Sequence, residues 1–174
     1  MAGKLVSKIE KTKGWGQALG CGDADIQHAQ EDLGMVLPSD YKNLVKEYGA
    51  ITFPEFRWFG LNVVDMYDVV VQTKAVKERV LNFPEKHFVL QVFYDETCAI
   101  VNESGEVFHL TADSCELVSK NLVAYFDRCL TDPVVKPVEP SVAEEVENKP
   151  KKGKTAPVKA EKKPVDAPES AVDW

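Results

Sequence analysis

The chain has 174 residues, 28 of them acidic and 21 basic, for a formal net charge of −7. That length fits one ordinary domain with an extension, or two very small ones. The acidic balance argues against a nucleic-acid binder, whose phosphate ligand would be repelled, and favours encounter with a basic protein partner. No apolar run approaches the ~20 residues of a membrane helix. The start, Met1-Ala2-Gly3-Lys4-Leu5-Val6-Ser7-Lys8-Ile9, carries charge without a continuous apolar stretch. No signal peptide is therefore expected, and a cytoplasmic protein is.

The first helical pattern has Ile26, Ala29 and Leu33 on one face, Asp23 as a candidate cap and Gly34 as terminator. Only Met35, Val36 and Leu37 separate it from the second, so the two helices are expected to pack together. In that second pattern Tyr41, Leu44, Val45 and Tyr48 form a one-sided stripe. Pro38 suits the first turn, Ser39 or Asp40 can cap it, and Gly49 can take the left-handed position after the last turn.

Beyond Gly49 the residues become β-branched and aromatic, in Ile51-Thr52-Phe53 and Phe56-Arg57-Trp58-Phe59, with Pro54 fitting only an edge or a bend. Residues 68–81 keep helical spacing at Val69, Thr73, Val76 and Val80, although Val69-Val70-Val71 alone would pass for a strand; a helix is expected. Residues 88–94, 98–101 and 107–110 read as strands, and the Gly-containing link 102–106 reads as a hairpin. Residues 121–130 close with Leu122, Val123, Phe126, Cys129 and Leu130 on one helical side. The order predicts an α+β domain: N-terminal helices, an antiparallel meander of four or more strands between Thr52 and Leu110, and a C-terminal helix.

Composition changes after Asp132. Seven of the ten prolines follow it, whereas Trp174 is the one aromatic beyond it. Such a segment holds too little apolar mass to offset the entropy of ordering. Residues 133–174 are therefore expected to form a disordered tail, and residues 1–132 the folded domain. Eight lysines and eight acids balance in the tail, so the domain carries the whole −7.

Chemistry-bearing residues are sparse. Cys21, Cys98, Cys115 and Cys129 form no C-x-x-C motif, and buried thiols are expected rather than disulfides. His28, His87 and His109 are far apart, so a zinc site would need the fold to assemble it. Cys98 and His109 could meet across the hairpin, but no third group is apparent to orient the pair. Gly14-Trp15-Gly16 lacks the further glycine and the lysine of a phosphate loop. No metal, cofactor or reaction type is predicted.

One stretch is more specific: Glu31-Asp32-Leu33-Gly34-Met35-Val36-Leu37-Pro38-Ser39-Asp40-Tyr41-Lys42. An acidic residue before Leu-Gly, two spacers, Leu-Pro, a spacer and Asp-Tyr-Lys resemble the SUKH superfamily. Gly49, Trp58-Phe59-Gly60-Leu61, the segment from Asp68-Val69-Val70 to Arg79, Phe88-Val89 and the last helix follow in the expected order. The resemblance covers residues 20–130 and leaves out the tail. It implies a non-enzymatic domain that binds another protein. Many members look like immunity proteins that hold a cognate toxin domain, often a nuclease or deaminase, inactive in the producing cell. Others look like regulators or scaffolds, including a fungal cell-wall regulator.

A basic toxin would call for an acidic face. The candidates at turns and strand ends are Glu55, Asp65, Asp68, Asp95 and Glu96, with Trp58 as a possible aromatic anchor if it is exposed. A tryptophan buried under the sheet is the commoner outcome, and any one of the acids can be merely solvated. Nothing in the sequence sets an oligomeric state.

Overall fold

A helix absent from these expectations comes first. In the computed structural model, which describes residues 3–93 and 96–131, α1 (Lys4–Lys11) buries Leu5, Val6 and Ile9 on one face. Its three apolar residues sit among lysines, without a capping side chain or an acidic first turn. Such a helix is held by packing rather than by its own propensity.

The two expected helices follow as α2 (Asp23–Leu33) and α3 (Ser39–Tyr48). Their caps differ from expectation. Gly22, not Asp23, stands at the N-terminal boundary of α2, and its N–H donates to Asp25 Oδ2 at 2.8 Å. Pro38 holds the same place in α3, where no side chain caps the helix. Gly34 ends α2 in the left-handed region, at φ 67° and ψ 31°. Tyr41, Leu44, Val45 and Tyr48 are all buried, as their spacing requires.

The ambiguous segment is helical, α4 (Val69–Arg79). Asp68 decides it: its Oδ1 accepts from the N–H groups of Val70 at 2.8 Å and Val71 at 3.0 Å. That satisfies two amide donors of the first turn, which a valine run alone could not do. Thr73 Oγ1 then accepts from Val89 N–H at 2.9 Å and ties α4 to the sheet.

The single meander expected between Thr52 and Leu110 is in fact two antiparallel sheets. One has the order β1 (Gly16–Gln17), β2 (Ile51–Thr52), β3 (Arg57–Trp58). The other runs β4 (His87–Val92), β5 (Cys98–Asn102), β6 (Val107–Leu110), β7 (Cys115–Ser119). Its fourth strand thus lies beyond Leu110, largely exposed at the outer edge and without the apolar alternation that reveals buried strands. Phe59 N–H donates to Leu90 O at 2.8 Å between the two sheets. The last helix, α5 (Leu122–Thr131), places Phe126 against Phe53, Phe56 and Trp58. The expected boundary at 132 and the tail 133–174 lie outside the described residues.

Backbones meet where segments 19–21, 46–50 and 59–61 cross. A Cβ on Gly60 would stand 1.7 Å from the carbonyl oxygen of Gly49, and one on Gly49 would stand 2.2 Å from that of Leu19. Gly49 also has φ +66°, which side chains disfavour. The crossing is laced by Cys21 N–H to Val45 O at 3.0 Å and Leu61 N–H to Gly49 O at 3.3 Å. Buried Tyr41 adds a hydroxyl hydrogen bond to Phe59 O at 2.8 Å.

Gly60→Ala should therefore destabilise by on the order of 4 kcal/mol, since backbone and not a movable side chain occupies the space. Tyr41→Phe should cost about 1–3 kcal/mol by orphaning a buried carbonyl. Urea denaturation of both variants checks this; a wild-type midpoint for Gly60→Ala would show that the strands do not approach so closely.

Candidate protein-binding surface

The candidate acids fall into three places. Glu55 lies half-buried between β2 and β3. Asp65 is exposed at the start of a short 3-10 turn (Asp65–Tyr67), and Asp68 follows that turn directly. Glu96 is exposed between β4 and β5, with φ 66°. Asp95 lies outside the described residues. The carboxylate of Asp68 is already engaged as the cap of α4, so it serves the fold first.

Trp58 is corrected as an anchor. It is 0 % exposed, stacked on Tyr125 with ring centroids 5.9 Å apart and edge-on to Phe126. Its indole Nε1 has no hydrogen-bond partner of normal geometry. The neighbouring Cys129 sulfur lies in its field: burial pushes that thiol up to about 12, while Tyr125 and Trp58 pull the other way. Trp58 belongs to the core and offers a partner no surface.

Ion pairing sorts the other charges. Lys8 pairs with Asp127, Lys46 with Asp23, Lys74 with Asp32 at 3.4 Å and Lys86 with Glu103 at 3.4 Å. Val36 N–H, and then Lys86, hold the Glu103 carboxyl below its usual range. Among the described residues, no ion pair reaches Glu55, Asp65, Asp68 or Glu96. They share this with other exposed acids on the helices, such as Glu31, Glu47 and Glu78, so the uncompensated negative charge is spread over the surface.

Sequence reasoning missed Arg57. Its side chain is exposed, lies 4.3 Å from the Tyr67 ring centroid, and donates from Nε to Thr52 Oγ1 at 3.4 Å. It makes no ion pair with a described residue. Arg57 borders a cavity of about 280 Å³ between β3 and the end of β4, walled by Phe53, Phe56, Phe59 and Phe93. Gln91 also lines it, 3 % exposed, with Oε1 buried and unbonded. The aromatic character of 53, 56 and 59 was visible in the sequence, but their convergence with Gln91 on one cavity depends on tertiary packing.

Cys98 is buried and burial pushes its thiol up to about 12, opposite to the shift a nucleophile needs. His109 sits opposite Ala99, and its Nε2 lies 2.9 Å from Thr97 Oγ1, so the Cys98–His109 pair considered above is not formed. All four cysteines are free thiols, and Cys115 on β7 is exposed rather than buried as expected. Among the described residues no group of three or more His, Cys, Asp or Glu side chains could hold a metal ion, and no helix is long and apolar enough to cross a membrane.

No curated protein matches the chain. A family model does, that of the SMI1 / KNR4 family (SUKH-1), over residues 20–128. The matched span runs from the glycine crossing at Gly20, through β2 to β7, into α5, and leaves out α1 and β1. With more than half of its length matched and the α+β order of the superfamily in place, the chain belongs to the SMI1 / KNR4 family (SUKH-1).

Proposed function

We propose that this chain is a non-enzymatic immunity protein, which binds a cognate toxin domain in the cytoplasm and holds it inactive. The family is of the immunity and cell-wall-regulator kind, and the acidic excess favours the first of these. The observation that carries the reading is the acidic excess itself, of which Glu55, Asp65 and Glu96 are members at turns, without a basic partner among the described residues. A toxin that cleaves or modifies nucleic acid must present a basic active site, and opposing it with unpaired acids raises both association rate and selectivity. The folded part, residues 1–132, would suffice for this, with 133–174 dispensable.

The acids have unequal roles in the test. Asp68→Ala should cost about 1 kcal/mol of stability because it uncaps α4, so loss of binding in that variant is ambiguous. Glu55→Lys together with Asp65→Lys leaves the caps intact. That pair should slow association with the toxin encoded by the neighbouring gene about tenfold or more at low salt, with little change at high salt. The thermal midpoint should stay nearly unchanged. Stopped-flow association and co-expression survival measure the two sides. Undiminished protection with both reversals and Glu96→Lys in place, alongside its loss on apolar substitution elsewhere, would end the electrostatic reading.

A further inference from the structure

The cleft between β3 and the end of β4 exposes unpaired backbone groups. Hydrogen-bond parity shows which backbone groups face it. Phe53 N–H donates to Phe56 O at 2.8 Å, so in the antiparallel register Trp58 exchanges hydrogen bonds with Ile51 and Arg57 does not do so with Thr52. The N–H and C=O of Arg57 therefore point away from β2, on the same side as the Phe59 N–H that reaches Leu90 O. The same alternation holds in β4. Phe93 N–H donates to Thr97 O at 2.8 Å, which leaves Val92 in a non-bonded pair with Cys98 and directs its N–H and C=O away from β5. Arg57 and Val92 both border the cavity, and no backbone hydrogen bond among the described residues reaches either from across it.

Arg57 on the edge of β3 and Val92 on the edge of β4 thus each leave a backbone donor and acceptor unpaired beside an aromatic-walled gap. Such edges are the template for strand addition. Two side chains indicate what the strand carries. Arg57 is a cation without a carboxylate, on a domain where several lysines are paired. Gln91 is a buried amide whose Oε1 lacks a donor, a costly state that an incoming N–H would relieve.

We propose that this cleft binds an extended peptide segment of a partner protein, which pairs with the free backbone groups of Arg57 and Val92, with an Asp or Glu side chain on Arg57 and a backbone N–H on Gln91. The aromatic walls take the neighbouring apolar side chain of that segment. Glu55 and Glu96 lie at turns beside the cleft, next to its lining residues Pro54, Phe56 and Phe93, but the proposal does not depend on toxin neutralisation: peptide binding and protection are read separately, so the two can fail independently.

The test uses the full chain and a phage-displayed library of random peptides. Selected peptides should share an acidic residue next to an apolar one, and their binding should slow hydrogen exchange at the Arg57 and Val92 amides. Arg57→Ala, an exposed change, should weaken the synthetic peptide about tenfold or more. Replacing the peptide's acid by its amide should cost as much against wild type and nothing further against Arg57→Ala. Gln91→Leu should also weaken binding while leaving the thermal midpoint unchanged or higher, because it removes an unsatisfied polar group from the free protein. A merely structural Gln91 would lower the midpoint. The proposal is overturned if no peptide binds above background, if both variants bind like wild type, or if protection appears on other strands.

Discussion

The close approach of backbone at Gly49 and Gly60 is the constraint on which the remainder of the fold depends. With the Gly60 Cβ position 1.7 Å from the Gly49 carbonyl oxygen, three chain segments share a space that has no room for side chains. The consequence is positional. Gly49 ends α3 and at once sends the chain into β2, while Gly60 hands β3 on to the 3-10 turn through its N–H to Tyr67 O and its carbonyl to Val69 N–H. The helical layer and the small sheet are thereby joined by main chain, and the hydroxyl of Tyr41 reinforces the joint from within the core.

From that joint the rest of the surface follows. Phe59 is held against Leu90 by a backbone hydrogen bond, and the aromatic cavity lies beside that contact, between β3 and the end of β4. Trp58, one residue away on the opposite side of the strand, enters the core under Tyr125 and Phe126. Alternation along a strand explains why neighbours meet such different fates: Arg57 is exposed while Trp58 is 0 % exposed. Burial of a large aromatic there anchors the sheet on α5, which costs the surface an aromatic but supplies the rigidity a recognition site needs.

Charge is distributed along the same lines. One lysine each of α1, α3 and α4 (Lys8, Lys46 and Lys74) finds an acid on a neighbouring element, whereas the acids at the turns near β3 and β4 have no such partner among the described residues. Exposed pairs of this kind add little stability, but they remove positive charge from the helical surface as an independent field. Unpaired acids remain on helices, as at Glu31, Glu47 and Glu78, and at turns, as at Asp65 and Glu96, while Arg57 stacks on Tyr67 at the end of β3.

Local periodicity in the sequence was enough to determine α2, α3 and α5, because each carries a one-sided apolar stripe that only a helix can bury. The hairpin of β5 and β6 was equally legible, since Gly105 and the Asn102 side chain close it within a few residues. Family membership too was readable, through the Leu33-Gly34 to Tyr41-Lys42 string, whose Gly34 and Tyr41 have physical roles. The sequence could not determine α1, whose three apolar residues need α3 and α5 to complete a core, or β7, an edge strand with no buried face to pattern. Nor could it separate the two sheets, bury Trp58 rather than expose it, or commit Asp68 to capping α4. Those outcomes, and the facing of Arg57, Gln91 and Val92 across one cleft, rest on register and crossing between segments distant in the chain. Only the tertiary structure decides such contacts, because no local pattern carries the free energy that selects them.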